Sequence, residues 1–456
     1  MNSEAISRKT RKGYVQLSHL VMFAFCVAFY PRVLTLLKIP SAVNLLHLGF
    51  VPWVCLFTIF KTKTRSKSQI AIAKAIFFGL TMLLTVMVAS ALLNNAGAIN
   101  VAIDFLLLGE PFMMLLALIS IPMSLARIEQ FKTLLIYSGF INTLFAFVQR
   151  FVLNLQVRPG LSDNIKGVFI AQGAGHVIGA SVALTFGLYY FLFVKKVPIW
   201  IRTIVLLATF WHMLLADAKQ VLLAFLLAWV LLLLTKFKDI QQAIKYLSVA
   251  IIVILVLVWC VQNVPAFAAF NTWLRPEIYG PDGEATRLKL ATFSIVPSYY
   301  HSPLNSWLGL GPGHTVGRLG GWMLKEYEDL LTPLGSTRHP ASSAVWAAAA
   351  ASWLGNQSSM FSPLFGWAGI WGDLGFLGLG AYLYLSFIAW HKLCLDDFSK
   401  FLLLSVFVFG LIFSQMEEPG YMLTVACLIG LRWQEHRCRR TGNQYNSVNI
   451  LRNLPY

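Results

Sequence analysis

The run LSVAIIVILVLVWCVQNV, Leu247–Val264, decides the fold. It carries no charge, no glycine and no proline, and as a helix it is long enough to cross most of a roughly 30 Å hydrocarbon core. It does not alternate apolar and polar residues, as a membrane-spanning strand would. The stretch that follows, Pro265–Phe365, cannot lie in a membrane. It carries charge of both signs, three of the nine histidines (His301, His314, His339), and Trp273, Trp307, Trp322, Trp346 and Trp353. Its glycines gather in Gly309-Leu310-Gly311-Pro312-Gly313 and again between Gly317 and Gly321.

Working outward, apolar runs of similar length recur through the chain. The protein has 456 residues, 57% hydrophobic and 12% charged, with a mean hydropathy of +0.68. A soluble domain carries about twice that charge. The pattern predicts an all-α, polytopic membrane protein with about twelve transmembrane helices and one large extracytoplasmic loop between spans nine and ten. Nine spans precede the loop, near Val15–Leu37, Ala42–Phe60, Ile70–Leu92, Ile103–Ile121, Thr133–Leu153, Val168–Val194, Ile199–Leu215, Val221–Leu234 and Leu247–Val264. Three follow it, near Leu374–Trp390, Phe401–Met416 and Tyr421–Leu431. The expected organisation is thus a membrane domain over 1–264, the loop over 265–365, a second membrane segment over 366–432 and a cytoplasmic tail over 433–456.

The net charge of +17 would suggest nucleic acid in a soluble protein, but here basic residues cluster in alternate connections, where they fix topology. Lys61–Lys67, Arg127 with Lys132, Lys195-Lys196, Lys236 to Lys245, His391-Lys392 and the tail from Arg432 mark the inner face. Both termini are then cytoplasmic and no nucleic-acid partner is expected. The basic start Arg8-Lys9-Arg11-Lys12 runs into a full-length span and reads as an anchor rather than a cleaved signal. None of the six cysteines lies in the loop, no pair has metal-ligand spacing, and neither a metal nor a cofactor is expected.

Arg158, Lys166 and Lys219 are cations on the outer side, against the positive-inside bias. Asp217-Ala218-Lys219 reads as a snorkelling pair or as a cation held at the membrane surface for a lipid phosphate. Arg287, at the start of the loop, offers a bidentate fork for phosphate. Gly311 and Gly313 allow backbone to approach a ligand closely, although a plain surface turn explains them equally. His339, beside Arg338 and Pro340, is the first choice for a general base on an acceptor hydroxyl, with His314 as runner-up and Asp373 as the carboxylate alternative. Arg338 would bind an anionic group beside it. Asn142, Gln149, His176 and His212 are the polar groups deep in the spans.

Four local patterns, in order, resemble the O-antigen ligase and polymerase superfamily of bacterial envelope proteins. They are Lys166-Gly167-Val168-Phe169, Asp217-Ala218-Lys219, Arg287 ahead of Gly309-Leu310-Gly311-Pro312-Gly313, and Gly372-Asp373-Leu374-Gly375-Phe376-Leu377-Gly378. The resemblance covers roughly the second two-thirds of the chain, and the loop position agrees with it. It implies glycosyl transfer outside the cytoplasm, from an undecaprenyl-diphosphate-linked glycan to a second glycan or a lipid core, in the bacterial inner membrane. Membrane lipids and other envelope polysaccharide assembly proteins are the implied partners. Lys166, Lys219, Arg287, Arg338, Gly311 and Gly313 would bind substrate. One departure favours polymerase over ligase: the stretch Asn356 to Pro363 lacks the His that ligases carry before the acid-x-Gly-x-x-Gly motif. The alternatives are a transporter or flippase for lipid-linked sugars, which would need more deep polar groups, and a scaffold protein.

Overall fold

The structure is a computed structural model that describes residues 16–62, 66–155, 164–170, 174–236, 240–267, 270–271, 275–355 and 359–452. Arg158, Trp273, the basic start at Arg8–Lys12 and the stretch Asn356–Ser358 lie outside the described residues. Among the described residues all regular structure is helical.

The long helices before the insert are α1 (Leu17–Phe29), α2 (Leu46–Lys61), α3 (Lys67–Asn94), α4 (Ala98–Ser120), α5 (Leu125–Phe147), α6 (Gly175–Phe193), α7 (Ile199–Leu215), α8 (Lys219–Leu234) and α9 (Ile240–Asn263). The insert contributes α10 (Glu284–Ile295) and α11 (Pro340–Ala351); then come α12 (Gly366–Ile388), α13 (Asp397–Phe409) and α14 (Pro419–Arg452). Each apolar run expected to span overlaps one of these helices, but the first breaks after Phe29, the sixth is helical only from Gly175 and the eleventh ends at Phe409. By length and composition six described helices can cross a membrane, or seven if the bent pair Leu17–Phe29 and Pro31–Leu37, 51° apart, is one span. The runs at Ile199–Leu215, Lys219–Leu234 and Leu247–Asn263 are shorter apolar helices. α14 continues unbroken past Arg432, where a tail was expected.

α4 is the hub: nearly its whole length is buried, and it packs against α2, α3 and α14. Without water, helices associate through close packing of small residues. Gly187 shows this where α6 meets α7, since a Cβ there would sit 2.1 Å from Thr209 Oγ1.

The insert docks on the α3–α4 turn. Asn95 ends α3 in the left-handed conformation, with φ 53°, which asparagine tolerates. Asn94 Nδ2 donates to Gly309 O at 3.1 Å, Asn305 Nδ2 to Asn94 Oδ1 at 2.7 Å, and Gly97 N to Thr337 Oγ1 at 2.9 Å. Asn100 donates to the carbonyls of Pro312 and Thr337, at 2.9 Å each, and accepts from Thr337 N. A second anchor is Lys289 on α10. Its ammonium donates to Ser362 O and Ile412 O, 2.8 Å each, over the Phe365 ring. It thereby fixes the insert to the connection between α13 and α14.

Candidate functional site

The glycine run is not a surface turn. Residues 309 to 319 are all buried, and the run is interlocked with a break in α12. Gly375 has φ 62° within α12, and a Cβ there would lie 2.3 Å from the Trp307 carbonyl carbon. Gly309, φ 72°, meets the Asp373 carbonyl carbon at the same distance. Leu310 N donates to Gly372 O and Gly311 N to Asp373 O. Glycine is therefore needed so that two backbones can touch. Asp373 completes the interlock: its carboxylate accepts from Gly313 N at 3.0 Å, Thr315 N at 2.6 Å and Thr315 Oγ1 at 2.7 Å.

The loop histidines collect above this cradle. The rings of His314 and His339 stack with centroids 5.4 Å apart, and Tyr299 meets His339 edge-on. His314 bonds Leu310 O through Nδ1 and Thr337 Oγ1 through Nε2, at 2.8 Å each, so both ring nitrogens are engaged. Burial, together with the His339 ring beside it, pushes His314 down to about 4, against the Leu310 carbonyl that favours the cation. His339 caps α11 by accepting from Ala341 N at 3.1 Å through Nδ1. The neutral ring then carries its proton on Nε2, which makes that edge a donor. His339→Ala is expected to cost about 1 kcal/mol in thermal unfolding and His339→Asn to restore most of it, because asparagine caps well.

Beneath the cradle lies a buried charge cluster. Glu418, before α14, accepts from Arg32 Nη2 on both carboxylate oxygens, at 3.0 and 2.9 Å, and forms an ion pair with Arg318. Arg318 precedes a π-helical turn, Leu319–Met323, of the kind often found at functional sites, and its guanidinium lies 5.0 Å from the Trp322 ring centre. Burial brings Arg318 down to about 9, which leaves it charged at neutral pH. Glu417 accepts from Arg318 N at 2.6 Å through Oε2, while its buried Oε1 has no hydrogen-bond partner among the described residues. Burial, with the nearby Asp373 carboxylate, pushes Glu417 up to about 8 against the pull of Arg318. Gly317 separates Glu417 from Asp373, and either carboxylate would come within 3.4 Å of a Cβ placed there. Asp104 on α4 is buried too, and its Oδ2 has no hydrogen-bond partner among the described residues. One step further, His47 and Glu110 form a buried pair at 2.8 Å.

The structure brings His339, His314, Asp373, Gly311 and Gly313 together. It joins neither Lys219 nor Arg287 to them. Lys219 closes an ion pair with Asp217 inside its own turn, Asp217 adopting φ 51°. Arg287 is exposed on α10 and its guanidinium forms no ion pair among the described residues. Arg338 is half-exposed, bonded to Leu324 O at 2.6 Å and Glu328 at 2.8 Å. Lys166 lies in a strap held by α5 and the π-helical turn Val148–Val152 that follows it: Gln149 accepts from Lys166 N and Gly167 N, and Asn142 accepts from Val168 N and donates to Gly179 O. These deep polar residues hold backbone, and Phe169 at the strap's end reaches Arg32, its ring centre 6.0 Å from the guanidinium.

Arg32, Arg318, Glu110 and Asp104 were not singled out by the sequence. The signal was present: each of Arg32, Asp104 and Glu110 is a charge inside an apolar run, where ionisable groups are costly and functional by default. Glu417 and Glu418 are neither solvated nor paired with Lys219 or Arg287; they are buried against Arg318 and Arg32. Neither protein-family models nor curated protein sequences give a match to this chain.

Proposed function

We propose that the chain is a membrane-embedded glycosyltransferase of surface polysaccharide assembly, of the polymerase type. It would move a glycan from an undecaprenyl diphosphate carrier to an acceptor hydroxyl. The observation that carries this reading is the convergence of Arg32 and Arg318 on the single carboxylate of Glu418, beneath the cradle. Two guanidiniums sharing one anion suit a diphosphate, which can replace the carboxylate and accept both forks. In the reaction the acceptor oxygen bonds to the anomeric carbon as the carbon–oxygen bond to the diphosphate breaks. The diphosphate leaves with the electron pair, and the arginines stabilise its charge, an effect worth roughly 3 kcal/mol per well-placed donor. The acceptor proton passes to a base. His339 must first release its helix cap to serve, whereas Glu417 holds an unengaged oxygen next to Arg318.

In this reading the twelve apolar helices are twelve spans of a bacterial inner membrane, the termini are cytoplasmic and the insert is outside. Cysteine introduced at Ser336 should label in intact cells with a membrane-impermeant thiol reagent, and cysteine at Ser66 should not; the reverse pattern rules out the orientation. The activity is tested by the chain length of surface glycan in a deletion strain. Loss of long chains with single repeat units retained supports a polymerase, loss of all attachment a ligase, and an unchanged glycan excludes both.

One observation favours the transporter reading: Asp104 and the His47–Glu110 pair are ionisable groups buried within apolar helices, as in proton-coupled carriers. Asp104→Asn that stops movement of lipid-linked sugar across the membrane, with glycan transfer intact on the outer face, would select it.

A further inference from the structure

A groove of about 630 Å³ runs between α2, α3 and the end of α4, on a different part of the molecule from the charge cluster. Its walls are apolar, with Leu56, Ile59, Phe77 and Leu116 among them. Phe60, Phe77 and Phe78 on its rim are more than half exposed, so the groove opens toward the surroundings of the helices. In a membrane those surroundings are lipid chains.

Its polar end is specific. Lys74 lines the groove about two turns inside α3, and it is exposed with no ion pair among the described residues. A lysine that deep on a lipid-facing surface is costly unless an anion meets it. Thr62 also lines the groove, and its hydroxyl oxygen is shielded with no partner among the described residues. Gln69 is committed elsewhere, donating to Ile119 O at 2.8 Å. Lys61 at the end of α2 and Lys67 at the start of α3 are exposed beside this end and add positive potential there.

We propose that this groove is a binding site for one anionic glycerophospholipid. An acyl chain lies along Leu56, Ile59 and Phe77, and the phosphate is held by the Lys74 ammonium. The assignment stands on charge complementarity: a zwitterionic lipid would leave its cationic headgroup beside Lys61, Lys67 and Lys74. It is independent of the glycosyltransferase reading.

Native mass spectrometry of the purified full chain, titrated in detergent with phosphatidylglycerol or phosphatidylcholine of matched chains, tests it. Phosphatidylglycerol should be retained in a one-to-one complex and phosphatidylcholine should not. Lys74→Gln should weaken retention about fivefold, as loss of one cation at an anionic lipid surface implies, and Lys74→Arg should restore it. Ala73→Trp, which fills the groove wall, should abolish retention of phosphatidylglycerol; circular dichroism confirms that each variant is folded. Equal retention of the two lipids, or Lys74→Gln indistinguishable from wild type, overturns the proposal. So does displacement of phosphatidylglycerol by equimolar undecaprenyl phosphate, which would make the polyprenyl carrier the occupant.

Discussion

Arg318→Ala is expected to destabilise the protein by about 3–5 kcal/mol, the usual result of removing one partner from a buried ion pair. Glu418 would remain buried with Arg32 alone, and Glu417 would lose a neighbouring positive charge while keeping its bond to the residue 318 amide. Transfer should fall about 10²–10³-fold, the loss typical of one electrostatic donor at a developing anion. Arg318→Lys should recover part of the stability and little of the activity, because an ammonium keeps the charge and loses the planar fork. Stability and rate can be separated by a double-mutant cycle with Glu418→Ala, followed by thermal unfolding of each purified variant. The coupling should be at least about 1.5 kcal/mol, as for close charge pairs elsewhere. Additive losses would mean that the two side chains do not interact.

Asp373→Ala should be comparably severe for a different reason. It strips the acceptor from three buried donors, Gly313 N, Thr315 N and Thr315 Oγ1, each worth about 1–3 kcal/mol when left unsatisfied. The glycine run would lose its hold on α12, and the histidine stack rests on that run through the bond from His314 to Leu310 O. The expected result is a lower unfolding temperature together with rapid proteolysis of the insert. Asp373→Asn should fall between, since its amide group must turn toward one of the N–H donors. If Asp373→Ala melts and resists protease like wild type while transfer is lost, Asp373 acts on substrate rather than on the cradle.

The helices were legible because an uninterrupted apolar run favours a helix, and every expected run overlaps one. The insert was legible as the charged, tryptophan-rich break between apolar runs. Its docking surface was not, because Asn94, Asn100 and Asn305 look like ordinary turn residues until the α3–α4 turn and the insert are placed together. The glycine run shows the same limit. Positive φ at Gly309, Gly311 and Gly313 is a local demand that a sequence expresses well. What presses against the glycine, here the backbone of α12, is a long-range fact. The charge cluster lies at the far end of that scale, since Arg32 and Glu418 are 386 residues apart and no spacing rule connects them. Lys219 with Asp217 is the opposite case, a pair two residues apart that closes within its own turn.

Arg32 and Arg318 are proposed to serve a polyprenyl diphosphate leaving group. The most direct measurement of this role uses purified protein in proteoliposomes loaded with the lipid-linked glycan that accumulates in a deletion strain, following release of undecaprenyl diphosphate as glycan lengthens. Wild-type protein should release one diphosphate per unit transferred, and Arg32→Lys and Arg318→Lys, folded by circular dichroism, should release almost none. Release by both lysine variants at the wild-type rate, or glycan movement across the bilayer with no diphosphate released, would contradict the account.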